Sequence, residues 1–388
     1  MFLPAIVTIG YNRAGSMERL LKSLARAEYP KDKDIPLIIS IDNSGSDDVA
    51  KVARAFSWEH GEKIIVERKE RMGLKNHVLA CGDFTREYGS IIVLEDDLVV
   101  SPAFYEYSIR ALEFADNDER IGSISLYNHL FNVHARKSFA ALDDGYDNWY
   151  FQMSSSWGQA YTRKQWEDFL SWYEKNRQKP IAGADIPANI AGWSEKSWLK
   201  FFITYLVRTG KYCLYPRIGY TSNFGDVGSH AKKADTDLQI PISFSRAPRF
   251  SFAGIDESRA VYDAYFENIR LDEAYSEADY KPVKAIIDLY GSKPIDEMIA
   301  ADSEIRYILT SRTLGFKAVK SFGRQMRPLD ANIVCDVEGS DFYLYDVSEK
   351  AAAPGQSDEA ESYLYEYRGI SAKQMLKMIK YRILEKLQ

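Results

Sequence analysis

The chain has 388 residues, of which 46% are hydrophobic and 27% charged, and its formal net charge is −6. This is globular composition at a length that calls for a main domain plus an extension. The acidic balance argues against a general nucleic-acid binder, although a bound divalent metal could still bring an anionic ligand in.

Pro4–Ile9 is an apolar, β-branched run ended by Gly10 and reads as a buried strand. The N-terminus has no basic region or cleavage site, so it is not read as a signal peptide. Met17, Leu20, Leu21 and Leu24 recur at helical spacing. Pro36–Ile41 is the next strand, and the turn-rich run from Asp42 to Asp47 ends it. Asp48–Phe56 predicts a helix, Lys63–Glu67 a strand and Asn76–Tyr88 a helix. Ser90–Leu94 is a third buried strand that runs straight into Glu95-Asp96-Asp97. Phe104–Phe114 predicts a helix, Ile121–Leu126 a strand, Lys196–Arg208 a helix and Tyr212–Pro216 a short strand. Beyond His230 the segments 256–274, 282–290 and 295–301 read as helical, 351–358 as a linker, and 373–388 as an amphipathic helix. Alternating strands and helices predict an α/β fold, a mostly parallel sheet with helices on both faces, followed by a mainly helical C-terminal extension. The expected division is 1–232, 233–350 and 351–388.

In such a sheet, ligands bind at the carboxyl ends of the strands. Asn12, Arg13, Asp42 and Asp97 all follow predicted strands and so converge on one edge. Glu95-Asp96-Asp97 lies between apolar runs. Burying three acids there is costly unless something pairs with them, and Mg²⁺ or Mn²⁺ bridging a diphosphate is a fitting partner. Cys81, Cys213 and Cys335 stand at no metal-ligand spacing and read as free thiols of a reducing compartment.

The run from Ile91 to Tyr107, with its acidic triplet, resembles the metal-binding segment of the N-acetylglucosaminyltransferase I family and of related bacterial sugar transferases. The likeness extends over about Pro4 to His230. It implies a Rossmann-like GT-A fold, inversion at the sugar, a UDP-sugar donor with UDP-GlcNAc the first choice, and Mn²⁺ or Mg²⁺. It places Asp97 on the metal, Glu95 and Asp96 at the ribose and nearby groups, and Arg13, Asp42 and His77 at the uracil. Ser156, Trp157 and Gly158 resemble the small-residue loop beside donor sugar and acceptor. Glu195, flanked by Trp193 and Trp198, occupies the place of the catalytic base, with Asp185 the fallback. This segment lacks the paired aspartates of the family. The glycine-rich run Pro216–His230 resembles the segment that closes over the diphosphate, and His230 is a candidate metal or phosphate ligand.

Expected partners are the UDP-sugar and a carbohydrate or lipid-linked glycan acceptor, as in polysaccharide biosynthesis. No run approaches the roughly 20 apolar residues that span a bilayer. The expected location is the cytoplasm, with the C-terminal helix as a possible contact to the inner face of a membrane, set against simple packing on the domain. Two other readings remain open: a nucleotidyltransferase on a similar sheet, and a non-catalytic carbohydrate-binding protein that keeps the fold.

Overall fold

This computed structural model describes residues 2–226, 238–246, 249–271, 284–354 and 359–387. The first part alternates as its apolar runs predict: β1 (Ala5–Gly10), α1 (Ala14–Ala25), β2 (Leu37–Ile41), α2 (Asp48–Ala55), β3 (Lys63–Glu67), α3 (Leu74–Gly82), α4 (Thr85–Tyr88) and β4 (Ser90–Glu95). The single helix expected over 76–88 is therefore two, broken at Asp83-Phe84. The chain turns at Asp96-Asp97 into β5 (Leu98–Val100), then forms α5 (Phe104–Ala115), β6 (Ile121–Ser125), and a small hairpin of β7 (Phe131–Asn132) and β8 (Lys137–Ser138). β9 (Asn148–Phe151), β10 (Gln159–Thr162), α6 (Arg163–Asn176), α7 (Ala188–Ala191), α8 (Trp198–Arg208), β11 (Tyr212–Pro216), β12 (Thr221–Asn223) and β13 (Val261–Tyr262) follow.

Nine of these strands form one sheet, in the order β13-β9-β11-β6-β10-β4-β1-β2-β3. β1 pairs in parallel with both β2 and β4, and β2 with β3. β10 is inserted antiparallel between β4 and β6. Both faces of the central strands are covered, which is why they read as continuous apolar runs. Side chains alternate across the sheet. Ile6, Ile39, Ile92 and Leu94 pack under α1, α2 and α5 with Met17, Leu20, Val49 and Phe104. Val7, Ile38 and Ile91 pack under α3, α6 and α8 with Val78, Trp166, Phe169 and Phe202. This is the α/β arrangement, a mostly parallel sheet with helices on both faces, that the sequence implied.

Past residue 232 the sheet continues, because β13 pairs in parallel with β9. A second, four-stranded sheet follows, built from β14 (Ala285–Asp288), β15 (Tyr307–Thr310), β16 (Phe316–Phe322) and β17 (Phe342–Lys350) in the order β14-β15-β17-β16, with α9 (Ile295–Ala301) and α10 (Asp330–Val334). α11 (Glu359–Tyr367) and α12 (Ala372–Leu387) supply the expected helical C-terminus. The helices expected over 256–274 and 282–290 are absent among the described residues. Within the apolar run 285–290, Ala285–Asp288 is a strand paired in parallel with β15, and 289–290 form a turn. A run that short fits a buried strand or a buried helix equally well by periodicity.

Candidate active site

The carboxyl ends of β1, β2 and β4 bring the expected polar residues to one edge. Arg13 sits at the residue before α1 and turns toward the triplet. Its guanidinium donates to Asp97 Oδ2 at 3.1 Å and also to Asp96 Oδ1. Asp96 is buried, Asp97 is partly so, and Glu95 lines a small pocket with Ser156, Gln159, Tyr161, Trp166 and Trp198. Desolvation and neighbouring like charges raise the proton affinity of Glu95 and Asp96. Burial, then Asp97 and Asp96, push Glu95 up to about 8, against the pull of Arg13 and a hydrogen bond with Ser156. Burial takes Asp96 up to about 6, although Arg13 and the Tyr11 amide pull it down.

One oxygen of the triplet is unclaimed. Asp97 Oδ1 is buried and has no hydrogen-bond partner, whereas Oδ2 is held by Arg13. Among the described residues no three His, Cys, Asp or Glu side chains form a metal-ligand group. Mg²⁺ and Mn²⁺ commonly take one or two carboxylates and fill the remaining positions with phosphate oxygens and water. The unpartnered Asp97 oxygen and its acidic neighbours fit such an ion.

Asp42 is buried and already engaged. One oxygen accepts from the amides of Asn43 (2.9 Å) and Met72 (2.8 Å), the other from Gly73 (2.9 Å), so the carboxylate ties the loop before α3 to β2. His77 is buried on α3, with Nε2 2.7 Å from Ser40 Oγ, and burial lowers it to about 4, so it is neutral at pH 7. These two are electrostatic neighbours, but Arg13 leans on the acids instead of joining them. Asn12 is exposed at the rim.

The small-residue loop reaches the site through Ser156, which meets Glu95. Gly158 has φ +97°, and a Cβ there would lie 2.9 Å from Thr221 Cγ2, so its absence of a side chain serves packing against β12. Trp157 packs on Tyr127, ring centroids 4.8 Å apart. The described part of the glycine-rich segment, 216–226, packs against the chain beside the triplet. Phe224 N–H donates to the Asp97 carbonyl at 3.0 Å, and β12 pairs with β5. Asp226 then binds Ser16 Oγ at 2.7 Å and the Arg19 guanidinium, which stacks over Phe224 at 3.8 Å. His230 lies outside the described residues.

The two base candidates differ in setting. Glu195 is exposed on the turn before α8, where Lys200 Nζ donates to Oε1 at 2.5 Å and to the Trp193 carbonyl at 2.9 Å. The same turn leads into Trp198, which shares the Glu95 pocket. Asp185 pairs with Arg208 at 3.1 Å. Sequence reasoning missed Arg19, Asp226 and Arg68. Ser16 and Arg19 follow Arg13 at intervals of three, a same-face signal that was legible. Arg68, which donates to Ser40 Oγ at 3.4 Å, carried none.

Residues 2–170 match the GNT-I family. An alpha-1,3-mannosyl-glycoprotein 2-beta-N-acetylglucosaminyltransferase of Arabidopsis thaliana is 24% identical over 260 residues, covering 63% of this chain and 52% of that protein. The chain thus spans about half the length of that relative. Among solved structures, the mannosyltransferase PcManGT from Pyrobaculum calidifontis, in complex with GDP-Man and Mn²⁺, aligns at 15% identity and a TM-score of 0.36, covering 56% of this chain and 55% of that one. S. aureus TarS 1–349 in complex with UDP-GlcNAc aligns at 12% identity and 0.36, covering 57% and 58%. Both are too distant to bear on donor or metal. The stretch that carries Arg13, Asp42, His77 and the acidic triplet is the stretch in which this chain resembles the GNT-I family of GT-A glycosyltransferases.

Proposed function

We propose that the chain transfers a sugar from a UDP-sugar, UDP-GlcNAc first, to a hydroxyl of a carbohydrate or lipid-linked glycan acceptor, with inversion and with a divalent metal held by Asp97. The observation that carries this reading is the buried, unpartnered Asp97 oxygen inside an acidic triplet at the carboxyl end of β4, within the stretch that matches the GNT-I family. When bound, Mn²⁺ or Mg²⁺ supplies the positive charge that stabilises the leaving diphosphate.

The chain's own residues do the rest. Arg13 neutralises Asp96 and Asp97 until the donor arrives, and it is near enough to turn to a phosphate afterwards. Asp42 holds the loop ahead of α3 in place, and neutral His77 braces β2 from below. Glu195 takes the proton from the acceptor hydroxyl. Lys200 orients this carboxylate through its hydrogen bond to Oε1, and the exposure of Glu195 leaves the other oxygen accessible. Asp185 is the weaker candidate, because its carboxylate is committed to Arg208 on the outer side of α8.

Calorimetry with UDP-GlcNAc and other UDP-sugars, with and without Mn²⁺, tests the donor and metal. Asp97→Asn should keep the fold and lose metal-dependent binding, and unchanged affinity in this variant would overturn the assignment. Product analysis separates sugar transfer from nucleotidyl transfer, and a protein that binds a glycan but neither hydrolyses nor transfers from any UDP-sugar is not an enzyme of this class.

A further inference from the structure

We propose that α12 is a docking helix for an anionic lipid surface, lying in the headgroup plane with its apolar stripe inserted. At 100° per residue, Ala372, Leu376, Ile379 and Ile383 fall within one narrow arc. A helix that packed on its own domain would bury that arc. Instead Leu376 is 68% exposed and Ile379 and Ile383 are each 55% exposed, and between residues 371 and 384 only Met375 is even half-buried.

Charge decides what covers the stripe. The chain is acidic overall, yet residues 372–384 hold Lys373, Lys377, Lys380 and Arg382 and no acid. The three lysines run along one edge of the stripe and Arg382 along the other. Long cationic side chains on both flanks of an apolar arc keep their charged ends at the phosphates while the arc enters the acyl boundary. A second copy of the helix suits the stripe less well, because its flanks would present cations to cations with Glu385 the only acid in the helix. Nor does α12 span the bilayer. Its 16 residues reach about 24 Å, short of the roughly 30 Å core, and no described helix is long and apolar enough to cross.

The tail is also fastened to the body. On α11, the Tyr365 hydroxyl donates to the Met326 carbonyl at 2.8 Å, and Arg327 donates to the Tyr365 carbonyl at 3.2 Å. Leu364 on α11 is exposed as well, at 56%. Docking by α12 would therefore bring the enzyme body to the surface with it.

The test is cosedimentation of the full chain with phosphatidylglycerol-containing vesicles and with pure phosphatidylcholine vesicles, at low and high salt. It does not depend on the proposed activity. The full chain should bind the anionic vesicles, and binding should fall as salt rises. The double variant Leu376→Glu/Ile379→Glu should bind roughly tenfold more weakly or worse, with an unchanged melting temperature. Failure of the full chain to bind anionic vesicles at low salt overturns the proposal. So does equal binding by the double variant, or a self-association in solution that the variant abolishes while vesicle binding is absent.

Discussion

At the scale of single residues, the site is governed by how few partners its charges have. Arg13 is the one cation hydrogen-bonded to both Asp96 and Asp97 among the described contacts. Replacing it with methionine leaves two crowded carboxylates uncompensated. Arg13→Met should cost about 1–3 kcal/mol in urea unfolding without metal. Mn²⁺ should then stabilise the variant more than the parent, because the ion no longer competes with a guanidinium. Histidines give a second prediction. His129 is fully buried among Tyr127, Phe151, Tyr215 and Phe266, has no partner on either ring nitrogen, and is lowered by burial to about 3; His77 is lowered to about 4. The unfolded chain therefore takes up these protons before the folded one does. Stability should fall as pH drops below about 6.5, the ordinary histidine value, with each histidine contributing up to about 1.4 kcal/mol per pH unit until its folded value is reached. Thermal melts of His129→Phe across this range should show a shallower acid slope than the parent.

At the scale of elements, the contact of α3 with α6 is closer than any side chain beyond glycine permits. A Cβ on Gly82 would lie 1.9 Å from Trp166 Cζ2. Gly82→Ala must displace an indole that also lines the Glu95 pocket, so it should destabilise by about 1–3 kcal/mol or more, whereas Gly15→Ala, with open space around it, should not. The turn before α8 carries the fourth prediction. Glu195→Gln should bind donor as the parent does and lose roughly 10²-fold in turnover. Asp185→Asn should lose little, and the opposite pattern moves the base to Asp185. Lys200→Met, by removing the hydrogen bond that orients Glu195, should lower turnover while donor binding stays unchanged.

At the scale of the whole molecule, the second sheet is fused to the first by buried polar clasps. Glu267, from the segment after β13, accepts from the amides of Leu289 (2.9 Å) and Tyr290 (2.8 Å) beyond β14, and burial raises its carboxyl well above the usual range. Asp330 on α10 accepts from Asn268 at 3.2 Å and from the Tyr262 hydroxyl. One apolar core also runs through both parts, from Phe139 and Trp149 to Ile287, Leu309 and Phe342. The two sheets should therefore unfold together. Tryptophan fluorescence and far-UV circular dichroism should trace a single urea transition, and a chain ended after residue 232 should be aggregation-prone, because it lacks β13 and exposes that core.

Strands β1 to β4, β6 and β11 of the first sheet were legible in the sequence, whereas β9, β10 and β13 were not. Val7, Ile38 and Ile91 lie in short apolar runs that alternate with helical segments, a pattern that fits buried parallel strands, and the polar residues that end such strands gather at one edge. The triplet was legible for the same reason, because acids abutting apolar runs call for a partner. What the tertiary structure decided was which partner each polar group takes. Asp42 could as well have faced a ligand as the Met72 and Gly73 amides, and Arg13 a nucleobase as readily as Asp96, since those choices depend on loops that no local pattern sets. The second sheet escaped notice because β14 and β15 have only four residues each, and 285–290 is apolar in a way that suits either period. Only pairing with a strand some twenty residues away made it β. The exposure of α12 was likewise undecidable from periodicity, because an amphipathic stripe looks the same whether its own domain or another surface covers it.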